Sequence, residues 1–111
     1  MKKRKFYIFQ EELIKMEIDR NGVCITDLVR MLNMYAMSDM KKLRTTQITD
    51  YLVRKGYLQE ECGNRRPTKR GAWLGITVQE RKNENKEVYW LNMYGEKAQR
   101  YIYDHLYEMI E

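Results

Sequence analysis

The chain has 111 residues, of which 43% are hydrophobic, and its formal net charge is +5. A chain of this length has room for one domain, and its apolar fraction excludes an intrinsically disordered protein. No stretch approaches the ~18–20 apolar residues of a membrane span, and Gln10, Glu11 and Glu12 interrupt the segment that could follow a basic secretion-signal start. We therefore expect a single cytoplasmic domain over residues 1–111.

The positive charge is concentrated in the middle of the chain. Residues 41–86 hold 12 basic and 5 acidic side chains, so their net charge is +7, whereas residues 1–40 carry +1 and residues 87–111 carry −3. A basic block between less basic flanks is typical of a surface that faces a polyanion. A solvated, lysine-rich face would have the same composition.

The N-terminal part predicts two helices separated by a turn. Apolar spacing favours a helix over 6–18, although the stretch 6–9 could also begin a strand. Asn21-Gly22 is a turn signal, and a short extended piece follows at 23–25. Thr26 is a suitable N-cap for the second helix. The predicted buried stripe of that helix is Leu28, Val29 and Leu32.

The next predicted helix begins at Thr45 or Thr46 and ends near Lys55. Gly56 follows its last turn, where glycine adopts the left-handed conformation at little cost. Together the two helices, over about 26–56, indicate a helix-turn-helix. The predicted inward side chains of the second helix are Ile48, Tyr51 and Leu52, and the outward ones are Gln47, Asp50 and Arg54.

Strands and a final helix are predicted for the rest of the chain. Residues 57–62 predict a strand, and a polar, basic loop follows at 64–70. Alternating side chains predict a β-hairpin over 75–94 with an exposed tip at 81–86, and apolar spacing predicts an amphipathic helix over 96–110. Two short helices on a small antiparallel sheet with a basic hairpin make an α+β winged helix-turn-helix, with that hairpin as the wing.

The helix that begins near Thr45 has the pattern of a DNA-recognition helix. Such a helix buries one face and offers hydrogen-bonding side chains on the other, although an ordinary amphipathic surface helix does the same. Gln47 can pair with adenine and Arg54 with guanine, while the basic loop and the hairpin tip can contact phosphates. The predicted DNA-binding residues are Arg44, Thr45, Thr46, Gln47, Thr49, Asp50, Arg54, Lys55, Arg65, Arg66, Lys69, Arg70, Arg81, Lys82 and Lys86.

Two residues fit this interpretation less directly. Asp50 carries a carboxylate that repels phosphates, so it would accept a hydrogen bond from cytosine or pair with Arg54, four residues on. Trp73 is expected in the core or at a hinge rather than as a platform on which bases stack.

A family resemblance supports the same expectation. Residues 48–58 follow the pattern Ile-x-x-Tyr-Leu-x-x-x-Gly-Tyr-Leu, which resembles the second helix and strand of winged-helix DNA-binding domains. Residues 64–76 follow Asn-x-x-Pro-Thr-x-x-Gly-x-x-x-Gly-Ile, which is similar to a stretch in the C-terminal, KilA-C type domain of phage antirepressors. The likeness covers about residues 25–110. It implies a DNA-binding transcriptional regulator from a phage or mobile element.

The last predicted helix carries apolar and aromatic side chains around much of its circumference. Such a helix is either deeply packed or shared with a second subunit. The second alternative predicts a homodimer through Tyr103, Tyr107 and Ile110, which would suit a palindromic operator.

Catalytic chemistry is not expected. Ser38 is the one serine and His105 the one histidine, and His105 lies on an apolar stripe. Cys24 and Cys62 belong to no Cys-x-x-Cys pair, so we expect free thiols, no metal site and no cofactor. The alternative to DNA binding is a winged-helix adaptor or inhibitor that acts on a host nucleoprotein complex.

Overall fold

A computed structural model describes residues 2–111, which form an α+β fold of six helices and two antiparallel two-stranded sheets. The predicted α+β class is confirmed. None of the helices over this range is long and apolar enough to cross a bilayer. In chain order the elements are α1 (Gln10–Leu13), α2 (Ile25–Asn33), α3 (Thr45–Arg54), β1 (Leu58–Glu61), β2 (Asn64–Pro67), α4 (Lys69–Leu74), β3 (Ile76–Lys82), β4 (Val88–Tyr94), α5 (Glu96–Asp104) and α6 (Leu106–Met109).

The helix predicted over 6–18 is wrong apart from the four residues of α1, and the alternative of an extended start is the one observed at 6–9. Phe6 and Ile8 are buried whereas Tyr7 and Phe9 are exposed, which is the alternation of an extended chain. Arg4 donates its N–H to the carbonyl of Asp39 and accepts from the N–H of Lys41, at 2.8 and 2.7 Å. Long-range pairing therefore overrides the helical spacing here.

Helices α2 and α3 bury the predicted faces. Leu28, Val29 and Leu32 of α2 are buried, as are Ile48, Tyr51 and Leu52 of α3. The predicted N-cap is wrong: α2 begins at Ile25, with Cys24 as its N-cap and Thr26 exposed in the first turn. Val23 exchanges two backbone hydrogen bonds with Tyr94, so the chain enters the helix as soon as that pairing ends.

The two hairpins differ in how well the sequence predicted them. β3 and β4 pair as expected, and Ile76 opposite Tyr94 is buried at the base. The strand predicted over 57–62 is present as β1, but the expected basic loop is strand β2, which pairs with β1 from Leu58↔Pro67 to Glu61↔Asn64. Cys62 and Gly63 form the two-residue turn with φ of 50° and 81°, a conformation for which only Gly63 is a sequence signal.

The predicted C-terminal helix is present in two parts, α5 and α6, with a break at His105. Its predicted stripe packs in the core through Ala98, Ile102, Leu106, Met109 and Ile110. Gln99 is also buried, at 1% exposure, and its amide is fully used. It accepts from the N–H of Asp19 and donates to the carbonyls of Asp19 and Tyr94 at 2.8–2.9 Å.

Helix α4 lies directly against the start of β1. Thr68 caps it by accepting from the N–H of Gly71 at 3.1 Å, and the Thr68 hydroxyl donates to the carbonyl of Gly56 at 2.6 Å. A Cβ atom on Gly71 would lie 2.0 Å from the backbone oxygen of Tyr57. Because that obstacle is backbone, only glycine permits this approach.

We expect Gly71→Ala to lower the free energy of unfolding by at least ~1–3 kcal/mol, because α4 must move off Tyr57 to admit the methyl group. Chemical denaturation measures the loss. Ala72→Ser, on the exposed side of the same helix, is the matched control and should change the value by about 0.5 kcal/mol or less. Equal stability of Gly71→Ala and the native chain would contradict this packing.

Candidate nucleic-acid interface

The chain that leads into α3 is held by the side chain of Asn33. Asn33, at the end of α2, donates from Nδ2 to the carbonyl of Leu43 at 3.0 Å and accepts at Oδ1 from the Leu43 N–H at 2.8 Å. The amide thus satisfies both polar groups of a buried residue. These two hydrogen bonds fix the position of the start of α3 relative to α2.

The side chain of Gln47 caps the start of α3 and is not free on the outer face of the helix. Its Oε1 accepts from the N–H of Arg44 at 2.9 Å, and the side chain is half-buried. A bidentate contact to adenine needs the amide oxygen as well as the NH₂ group. Gln47 could make that contact only if this cap opened.

Arg65 is engaged by α3 and β1. Its guanidinium lies 2.5 Å from Asp50 Oδ1 and 2.9 Å from Glu60 Oε1, and it donates to the Thr49 hydroxyl at 2.9 Å. Hydrogen bonds to Glu60 and then to Asp50 raise the pKa of Arg65 above its usual value. Asp50 therefore pairs with Arg65, not with Arg54, and Arg65 holds the β1–β2 hairpin against α3 with its charge compensated.

Arg66 joins the two hairpins. It donates from Nη1 to Asn92 Oδ1 at 3.1 Å and from Nη2 to the carbonyl of Trp90 at 3.2 Å. Asn92 in turn donates to the carbonyl of Arg65 at 2.8 Å. Arg66 thus has a structural role between β2 and β4, and both of its terminal nitrogens are already engaged within the chain.

Cations collect around the C-terminal end of α3, where they lie on aromatic rings. The guanidinium of Arg54 and the ammonium of Lys55 are 5.7 and 5.4 Å from the ring centroid of Tyr51. The Arg70 guanidinium is 4.6 Å from the ring centroid of Tyr57 and donates to the Tyr57 hydroxyl at 3.3 Å. That hydrogen bond is the main reason why the pKa of Tyr57 is lowered.

Lys97, which the sequence did not single out, completes this group. Its ammonium lies 3.0 Å from the ring centroid of Trp73, and its charge contributes to the lowered pKa of Tyr57. Trp73 itself is 71% exposed, so the expectation of a core position is wrong. Its short helix α4 buries Gly71 and Leu74 instead. We call Arg54, Lys55, Arg70 and Lys97 the C-terminal basic cluster.

A second group of cations surrounds a cavity of about 320 Å³ at the N-terminal end of α3. The pairing of Arg4 with the chain at Asp39 and Lys41 brings Lys5 to this wall. Only Arg44 of its four cations was predicted as a site residue. The cavity, named here the N-terminal basic cavity, is lined by Lys5, Phe6, Lys41, Lys42, Arg44, Gln47, Ile110 and Glu111.

Most predicted cations lack a carboxylate partner. Within the described range 2–111, Arg65 is the one member of the predicted set of cations that forms an ion pair. At the β3–β4 hairpin Arg81 donates to Gln79 at 2.9 Å. The remaining exposed cations of the set are Lys69, Lys82 and Lys86. At the start of α3, Thr45 is half-buried and Thr46 is exposed.

The residues predicted for a homodimer belong to the core of this chain. Tyr103 and Ile110 are buried, and Tyr107 donates its hydroxyl to the carbonyl of Ile8 at 2.7 Å while stacking on Tyr7. Of the two alternatives, the deeply packed helix is the one observed. His105 packs between Tyr101 and Tyr51.

Comparisons with protein-family models, with curated proteins and with solved structures find no match to this chain. The resemblance to winged-helix and KilA-C type domains therefore stays a prediction from the residue patterns.

We expect Asn33→Ala to lower the free energy of unfolding by ~1–3 kcal/mol, because the buried N–H and carbonyl of Leu43 lose their partners. Hydrogen exchange at the Leu43 amide should accelerate by more than the global loss of stability explains. Asn85→Ala, at the exposed hairpin tip, is the control and should leave both unchanged. Unaltered exchange at Leu43 would show that the clamp does not hold the start of α3.

Proposed function

We propose that this protein binds double-stranded DNA with α3 directed into the major groove, as a regulator of transcription. One observation carries the proposal: α3 has uncompensated cations at both of its ends. Arg44 and the N-terminal basic cavity lie at its start, and the C-terminal basic cluster lies at its end. Ten residues of helix span ~15 Å, which is comparable to the ~12 Å width of the major groove.

This spacing suits a duplex because the two phosphate backbones border the groove. A helix in the groove would meet one backbone at each end, and the cations there would fix its position. The side chains available to base edges are Thr46, the Asp50–Arg65 pair and Arg54, which is the last residue of α3. Asp50 can accept from cytosine, whereas Arg54 can donate to guanine. Gln47 contributes to the helix cap instead.

The winged helix is part of the proposal. A hairpin directly follows the recognition helix in this arrangement, and here β1–β2 follows α3 and is joined to it by Arg65. The β3–β4 hairpin, predicted as the wing, is longer and carries Arg81, Lys82 and Lys86 toward its tip. Both hairpins are candidates for contacts with flanking phosphates.

A protein-interaction adaptor is the second candidate, and exposed apolar side chains favour it. Met34 is 81% exposed, and it lines a groove with Met16, Met31 and Tyr35. Together with the exposed Trp73, these side chains offer an apolar surface to a partner protein.

Salt separates the two candidates. DNA binding through six or more phosphate contacts should lose ~10³-fold in affinity between 50 and 200 mM salt, because condensed counterions are released from the duplex. Fluorescence anisotropy with a random-sequence duplex measures this slope. An affinity that hardly responds to salt would contradict the proposed DNA interface and favour the adaptor.

Two α3 variants distinguish base contacts from phosphate contacts. Arg54→Ala should cost ~1–3 kcal/mol on a sequence selected from random duplex DNA and relax preference at one position, whereas Lys55→Gln should weaken all sequences alike and reduce the salt slope by ~1. Lys15→Gln, on the groove that Met34 lines, is the control. Arg66→Ala is a poor probe because Arg66 holds the hairpins together. If neither α3 variant changes affinity, α3 is not the DNA-binding helix.

A further inference from the structure

We infer that the N-terminal basic cavity is a binding site for a phosphate group. Its four cations, Lys5, Lys41, Lys42 and Arg44, come from two separate chain segments and line one cavity. The inference deepens the proposed function, because a DNA backbone phosphate is one source of this group. The inference is also independent of the proposed function, since a free phosphorylated compound carries the same group.

Hydrogen bonds of the surrounding chain bring these cations together. Hydrogen bonds of Arg4 with Asp39 and Lys41 align the segment that carries Lys5 with the segment that carries Lys41. The amide of Asn33 fixes Leu43, between Lys42 and Arg44. The backbone segments that form the cavity walls are thus held by hydrogen bonds within the chain, which reduces the ordering cost of binding.

The charges in the cavity are not compensated from within. Over residues 2–111 none of these four cations forms an ion pair, whereas Arg4, Arg30, Arg65 and Arg100 each have a carboxylate partner. Arg4, the neighbour of Lys5, is paired with Asp39 at 2.6 Å. Glu111 is the one acidic side chain of the lining and pairs with none of them. Mutual repulsion among the cations is therefore relieved by an anion from outside.

The donor set suits a phosphate group. Three ammonium groups and one guanidinium offer many charge-assisted donors, which matches the several acceptor oxygens of a phosphate, whether it is a backbone phosphodiester with one negative charge or a terminal phosphate with up to two. Phe6 and Ile110 form an apolar part of the wall, so the cavity also accommodates the group to which the phosphate is attached. Its volume of about 320 Å³ lies at the lower end of small-molecule sites.

The test uses pyrophosphate as the probe of the cavity and a 20-base-pair duplex as the probe of DNA binding, both by titration calorimetry at fixed salt. The Lys5→Gln/Lys42→Gln double variant should lose about 10-fold or more in pyrophosphate affinity, because it removes two of the four cations of the lining. Lys15→Gln should lose nothing. Glu111→Gln should bind pyrophosphate several-fold more tightly, since it removes the one carboxylate of the lining. Thermal melting of each variant shows that it is folded.

The outcomes identify the source of the phosphate. If the double variant also binds the duplex about 10-fold more weakly, with a shallower salt slope, the cavity holds a backbone phosphate. Loss of pyrophosphate binding with an unchanged duplex affinity assigns the cavity to a free phosphorylated compound. Loss of duplex affinity without loss of pyrophosphate affinity assigns the cavity to a phosphate of the DNA backbone.

Two further results separate this inference from the proposed function. If the native chain binds no duplex, the DNA proposal fails. The pyrophosphate affinities of the native chain and the double variant then test the phosphate site by themselves. If pyrophosphate does not bind and the double variant leaves duplex affinity unchanged, the phosphate site is overturned, while DNA binding through the other end of α3 stands.

Discussion

The fixed position of α3 is the constraint on which the candidate interface depends. The helix is anchored in the core by Ile48 and Leu52, but the chain on either side of it must also be held, because the cations lie there. Before α3 the amide of Asn33 clamps Leu43, and after it Gly71 brings α4 against Tyr57. Both constraints involve backbone, so the basic groups at the two ends of the helix keep a fixed separation.

The pairing of charges decides which cations can serve a ligand. By composition Arg65, Arg66 and Arg70 are equivalent members of one basic segment. In the fold Arg65 is compensated by two carboxylates, Arg66 bridges two hairpins, and Arg70 lies on the ring of Tyr57. A cation on a ring keeps its charge and its outward N–H groups, so of the three Arg70 is the best suited to meet a phosphate.

The sequence predicted what local patterns determine. The inward face of α3, the left-handed Gly56 after it and the β3–β4 hairpin are all consequences of short-range spacing and turn chemistry. The extended segment around Phe6 follows instead from pairing with residues about 35 positions away, and a period of two over four residues is too short to outweigh helical spacing. Strand β2 was missed because its charged side chains are typical of a loop.

The same distinction explains which site residues escaped prediction. Lys5 and Lys97 lie outside the basic block, and tertiary packing alone joins them to α3. They give the two ends of the helix different characters: a set of cations on aromatic rings at one end, and a set of exposed cations around a cavity at the other. Cations on aromatic rings attract a polyanion over a range of positions, whereas a cavity admits a phosphate at one. For a DNA ligand, Lys55, Arg70 and Lys97 of the C-terminal basic cluster would therefore supply sequence-independent attraction, Arg54 would contact a base, and the N-terminal basic cavity would fix the register of α3 along the groove.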